Sequence, residues 1–393
     1  MNLILKNIFK TFPFLIILSW FLVPYFSYSV IIRFLFFFSV LFLIIKNFDL
    51  LNKKILAISI FIIIYTFILN YLASNSSYLL RHLQLYIFLF SILIAPILTK
   101  YTFKESIFLI YFLLVLNLFS LILTYKGLLL DSHASRAFSK SNIAALEVAS
   151  SGVGGYGFIY ANVLLYPILI LIYKTINNKK IKILSILNFI LILLVISRAN
   201  FFIAIILTTI QLFYFFYNYG GKTSYYLVFI AFIISLFYVS PNLNEVIDYF
   251  DSLLKGGSLY LKFLDIISLF EGKAAAYGTT DGRTERYIRS FLMMFKNPFI
   301  GVMSFDDIGK HSQILDLFAQ FGFIIGIMFM RLIFFIPIQV KKIIEQKHNK
   351  LINIFIFALL FLGMFNNYAM QMGIVIILLV LVTSLNSKIY KLK

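Results

Sequence analysis

Most of the chemical capacity of this 393-residue chain lies in a few arginines and one histidine. Arg283, Arg286 and Arg289 recur at i, i+3 and i+6, a spacing that puts them on neighbouring positions of a helix. A guanidinium offers planar, paired N–H donors that match phosphate or carboxylate, so three of them in series could hold two phosphates. His311 follows where a long polar stretch enters an apolar run, a place where an imidazole could take a proton near neutral pH. Asp306 and Asp307 precede it and Asp316 follows it; a carboxylate there could orient the ring or bind a divalent cation. Arg198 stands at a short turn between two apolar runs, and Arg136 in a loop that also carries Gly152, Gly154, Gly155 and Gly157. The competing reading is plain: interfacial arginines touching lipid headgroups, and a histidine solvated at a helix start. The chain has no cysteine and four histidines. Disulfides, thiolate metal sites and cysteine nucleophiles are excluded, no HExxH or DxD spacing occurs, and the loop glycines are not followed by the Lys-Ser/Thr of a phosphate-binding loop. No metal or cofactor is expected.

These residues need elements to position them, and composition says which. The chain is 62% hydrophobic, 19% aromatic and 12% charged, with a mean hydropathy of +0.98. A soluble domain carries about 25% charged residues, so a single soluble domain and a disordered chain are both excluded. Twelve apolar segments are expected near 11–25, 28–45, 55–72, 83–99, 106–124, 157–173, 181–197, 200–217, 224–240, 312–336, 351–366 and 368–386. They do not alternate, and lipid cannot satisfy an open sheet edge, so they are expected as helices rather than strands of a barrel. The first reads as an anchor rather than a cleaved signal peptide. The expected fold is all-α, a polytopic transmembrane bundle of about twelve spans. Spans one to nine fill 1–240, with an outer loop near 125–156. A long extracytoplasmic loop fills 241–310, and the last three spans fill 311–393. Within the long loop, 243–270 and 283–296 read as amphipathic helices lying on the membrane surface or capping a cavity. In the second, Ile288, Phe291, Leu292 and Phe295 share a face away from the arginines.

Charge gives the sidedness. The net charge is +19, but with both termini inside, 19 of the 34 basic residues fall in the termini and inner loops and five in the short outer loops. That is the positive-inside bias, a topology signal rather than a sign of nucleic acid. Every inner basic residue is lysine, and every arginine falls in an outer loop or a span, so the chemistry is expected to face outward.

The residues around His311 resemble the O-antigen polymerase and ligase superfamily of bacterial envelope glycosyltransferases. The resemblance rests on Gly282-Arg283-Thr284, the Asn297-Pro298-Phe299-Ile300-Gly301 turn, His311-Ser312, the Gly322 and Gly326 pair in the following span, and Ser197-Arg198-Ala199 at an outer turn. Ala199 replaces the glycine usual in that family, and Tyr287 stands where a tryptophan is common. The resemblance implies a polymerase of polyprenyl-pyrophosphate-linked oligosaccharide repeat units, working at the outer face of the cytoplasmic membrane toward O-antigen or capsule-type polysaccharide. It implies His311, Arg283 and Arg198 as catalytic residues, and Arg286, Arg289, Arg136 and Tyr287 as substrate-binding ones. Its partners would be lipid-linked glycan donor and acceptor, membrane lipids and a chain-length regulator. A ligase passing finished glycan to another acceptor is the nearest alternative. A lipid-linked oligosaccharide flippase is the alternative from another class, disfavoured because mid-span charges are nearly absent.

Overall fold

The computed structural model describes residues 2–27, 29–72, 77–131, 134–135, 147–199, 201–219, 281–302, 307–366 and 372–391. Among these the chain is helical. In order it forms α1 (Asn2–Leu22), α2 (Val30–Lys46), α3 (Lys53–Leu72), α4 (Ser77–Ile94), α5 (Phe103–Leu130) and α6 (Tyr156–Thr175). Then follow α7 (Lys179–Ala199), α8 (Phe202–Tyr219), α9 (Asp281–Lys296), α10 (Gln313–Ile343), α11 (Asn349–Phe365) and α12 (Met372–Lys391). Eleven of the twelve expected apolar segments coincide with helices; 224–240 lies outside the described residues, as do 243–270 and Arg136. Five described helical segments are long and apolar enough to cross a membrane: α5, α6, α7, α10 and Gln346–Phe365.

The chain forms two compact units. The first comprises residues 1–215, 331–361 and 368–393, and the second comprises 216–330 and 362–367. In the first, α12 and α6 are the innermost helices. Ile374 through Leu385 and Phe158 through Ile172 are buried without interruption, which is why both segments read as continuous apolar runs rather than amphipathic ones. α12 packs on α1, α4, α5 and α6, and α5 packs along α7.

Local chemistry sets the helix starts. Thr102 caps α5: its hydroxyl accepts from the Glu105 amide while the Glu105 carboxylate accepts from the Thr102 amide, a reciprocal capping box. The same carboxylate, almost fully buried, receives Lys10 of α1 at 2.9 and 3.0 Å. Lys10 also lies 5.0 Å from the centre of the Tyr101 ring, so the charge is both paired and covered by an aromatic face. Deeper in the unit, three asparagines bind helices together. The Asn117 amide of α5 donates to Asn162 of α6 at 2.8 Å and to Asn188 of α7 at 2.9 Å. Asn188 returns a bond to the Leu114 carbonyl at 3.0 Å. A buried polar side chain is costly unless bonded, so this triad fixes the register of the three helices.

The second unit departs from the expected straight span. α10 begins at Gln313 but is broken at Gly322, where φ is 74° and ψ 178°. The single expected segment 312–336 is thus two helical pieces. The break is made by the Asn297–Gly301 turn, which docks its backbone into the gap. Phe323 donates its amide to the Pro298 carbonyl at 2.6 Å, and Val302 donates to the Ala319 carbonyl at 2.9 Å. Gly301, with φ 82°, abuts the Gln320 backbone, and Gly322 abuts the carbonyl of Phe299. A Cβ on either would collide with main chain rather than with a movable side chain. Gly322 and Gly326 therefore do not act as a pair of small residues at one helix contact. Gly322 serves the break, whereas Gly326 faces the Phe318 ring.

Candidate functional site

α9 positions the arginines. It packs through a narrow stripe, with Ser290 and Met294 buried, and Met294 meets Ile308 and Ala319 in a small apolar core. Arg286 is on the same stripe one turn earlier, exposed at its edge; Arg289 is exposed on the helix. Arg283 lies in the first turn, three residues before Arg286, and its side chain is outside the described residues.

The loop that returns to α10 brings His311 to Arg286. The guanidinium Nη1 of Arg286 donates to Nε2 of His311 at 2.5 Å. Guanidinium has no acceptor, so Nε2 takes the accepting role in this hydrogen bond.

A carboxylate beneath the loop holds this geometry. Asp316 is buried and accepts from the Lys310 amide at 3.2 Å and the Ser312 amide at 3.1 Å, and the His311 amide donates to it as well. Consecutive amides converge because Lys310 adopts φ 65°, the left-handed region, which makes a backbone nest of the kind that binds anions. Ser290 of α9 completes it: its hydroxyl donates to Asp316 at 2.5 Å and accepts from the Gly309 amide at 2.7 Å. Gly309 presses on the carbonyl of Arg286, where a Cβ would not fit. Asp316 therefore fixes the main chain on both sides of the imidazole. Its oxygens are taken by N–H and O–H donors from Ser290 and the 310–312 turn. No cluster of three His, Asp or Glu residues suited to a metal occurs among the described residues.

Ser312 caps α10, accepting from the Leu315 amide at 3.1 Å, and its hydroxyl donates to the Gly363 carbonyl at 3.1 Å. Tyr287 donates to the Phe365 carbonyl at 2.9 Å, with its ring edge-on to Phe365. Its hydroxyl thus ties α9 to the end of α11.

Arg198 belongs to the first unit. It ends α7, and its Nε donates to the Leu128 carbonyl near the C-terminus of α5 at 3.1 Å, a favourable place for a cation. Close by in sequence, Phe201 stacks on Tyr156 with centroids 4.5 Å apart. The structure thus brings Arg286 and His311 together, places Tyr287 and Arg289 on the same helix, and gives Arg198 a separate anchor in the other unit. Ser290 and the Lys310 turn escaped sequence reasoning. A lone serine inside an amphipathic helix and a lysine in a polar loop carry no local signal for either role. No protein-family model, no curated protein and no solved structure matches this chain.

Proposed function

We propose that this protein is a membrane glycosyltransferase that polymerises polyprenyl-pyrophosphate-linked oligosaccharide repeat units at the outer face of a bacterial cytoplasmic membrane. In this reading about twelve helices cross the bilayer, both termini lie inside, and the long loop before α10 lies outside. The observation that carries the reading is the Arg286–His311 pair. A phosphate-seeking cation sits directly on a ring nitrogen of the histidine proposed to act as a base. The sequence motifs around it and the arginine sidedness support the same assignment.

Chemically, the acceptor hydroxyl attacks C1 of the donor sugar. A C–O bond forms, the bond from C1 to the phosphate oxygen breaks, and the electron pair leaves with the lipid pyrophosphate. Arg283 and Arg286 stabilise the charge that develops there, with Arg289 as a further member. Donors aimed at developing charge are usually the largest catalytic contribution. The hydroxyl proton goes to Nε2 of His311. In the resting arrangement Arg286 occupies that nitrogen, so the arriving pyrophosphate has a second effect. It draws the guanidinium to its own oxygens and frees Nε2 to accept the proton. Donor binding and base activation are thereby coupled.

The test is complementation of a host that makes the lipid-linked repeat unit but lacks its polymerase. The chain should restore a polysaccharide ladder on a gel, and His311→Ala at equal abundance should not. Unextended repeat units from the native chain would overturn the reading.

A further inference from the structure

α9 leaves most of its apolar surface uncovered. Ile288, Phe291, Leu292 and Phe295 point away from the Ser290–Met294 stripe, and Phe299 and Ile300 continue the patch into the turn; all six are between 49% and 72% exposed. Six large apolar side chains on one short segment exceed the scattered exposure normal for a water-facing surface.

The place of the patch follows from α10. Lys341 and Lys342 close that helix, and the break at Gly322 lies 19 residues before Lys341. At 1.5 Å per residue this separation is about 28 Å, close to the roughly 30 Å hydrocarbon thickness of a bilayer. With the two lysines in one headgroup layer, Gly322 stands at the opposite edge of the hydrocarbon. The Asn297–Gly301 turn is bonded into that break through Pro298 and Val302, so Phe299 and Ile300 are held at the same depth. α9 leads into this point carrying Arg286, Arg289 and Lys296, all exposed. An apolar face with a cationic rim suits acyl chains beside anionic headgroups.

We infer that the outer face of α9 and the Phe299–Ile300 turn form a membrane-docking wedge. The turn inserts among the acyl chains, the apolar face of α9 follows the hydrocarbon boundary, and Arg286 with His311 lies in the headgroup layer. This rests on the membrane placement of α10 and not on the transferase reading, so each can fail without the other. For the transferase it would set the pair at the level where a lipid-linked pyrophosphate resides.

The absence of cysteine makes the test direct. Single variants Leu292→Cys, Phe299→Cys and Glu285→Cys of the full chain are labelled with bimane and reconstituted in phosphatidylethanolamine–phosphatidylglycerol vesicles. Quenching by brominated acyl chains is compared with quenching by aqueous iodide. Positions 292 and 299 are expected to respond several-fold more strongly to brominated lipid than to iodide, and position 285 the reverse. Iodide access at 292 and 299 equal to that at 285 would overturn the proposal. So would shielding of both positions from both quenchers, which would mean that protein, such as a second copy of the chain, covers the face. Ile288→Cys gives an independent reading should any one variant fold poorly.

Discussion

Arg286 and His311 are 25 residues apart in sequence, and the guanidinium of one donates directly to Nε2 of the other. The pair makes the two residues interdependent, and their variants should show it. His311→Ala is expected to stop glycan extension while the lipid-linked repeat unit still binds, because a positioned base contributes about 10²–10⁴-fold to rate and little to affinity. His311→Gln keeps an acceptor for Arg286 but cannot take the proton, so it should be as inactive as alanine. Turnover near normal in His311→Gln, measured with purified protein, would reduce the histidine to a hydrogen-bonding role.

Arginine geometry can be tested apart from charge. Arg286→Lys and Arg283→Lys retain the positive charge but lose the paired donors that fit pyrophosphate. Both are expected to fall well short of wild-type polymer length, and Arg283→Ala to abolish polymer at normal protein abundance. Arg198→Ala should also impair polymerisation; a normal ladder would leave that residue as an anchor for the end of α5 and nothing more.

Asp316 sets the loop that presents His311, and its removal should be felt in stability as well as activity. Asp316→Ala strips a buried acceptor from Ser290 and from amides at 310–312, at about 1–3 kcal/mol for each donor left without a partner. Asp316→Asn places an amide N–H₂ against donors and should behave nearly as badly. Ser290→Ala keeps the carboxylate and loses only the bridge, so its thermal midpoint in detergent should fall least of the three. An unchanged midpoint in Asp316→Ala would contradict the bracing role.

The glycines separate a backbone requirement from a packing one. Gly322→Ala puts a Cβ at φ 74°, ψ 178° and against the Phe299 carbonyl, a region essentially closed to other residues at a cost of about 1–3 kcal/mol. Gly326→Ala meets only the Phe318 ring, which can move. Thermal unfolding should therefore rank wild type above Gly326→Ala and Gly326→Ala above Gly322→Ala.

Much of this molecule was legible in the sequence. Long apolar runs with no alternation have one outcome, and α1 to α8 and α10 to α12 fall where those runs lie. α9 was legible as an amphipathic helix from Ile288, Phe291, Leu292 and Phe295. The break in α10 was not, because a glycine within Phe321-Gly322-Phe323 looks the same whether it packs closely or bends the chain. What decides is a backbone contact from a turn some twenty residues earlier. The Arg286–His311 pair was hidden for a similar reason. It depends on a left-handed Lys310 and a buried carboxylate, both consequences of tertiary folding. The asparagines at 117, 162 and 188 were not legible, because each is a single neutral residue inside an apolar run and only the packed helices bring the three together.

Sidedness can be checked without reference to activity. Reporter fusions after Lys180 and after Gly257 should report opposite sides of the membrane, given the concentration of lysine in the termini and inner loops. The same side at both points would remove the outward-facing site and the mechanism with it.

The most direct measurement is extension by the purified protein alone. The full chain in proteoliposomes is given a polyprenyl-pyrophosphate-linked repeat unit, with no nucleotide sugar and no added metal, and the products are resolved by size. The expected result is a ladder of lengthened lipid-linked glycans with release of polyprenyl pyrophosphate, absent in His311→Ala. A folded wild-type protein that leaves the repeat unit unextended, or a His311→Ala variant that extends it equally well, would contradict the account.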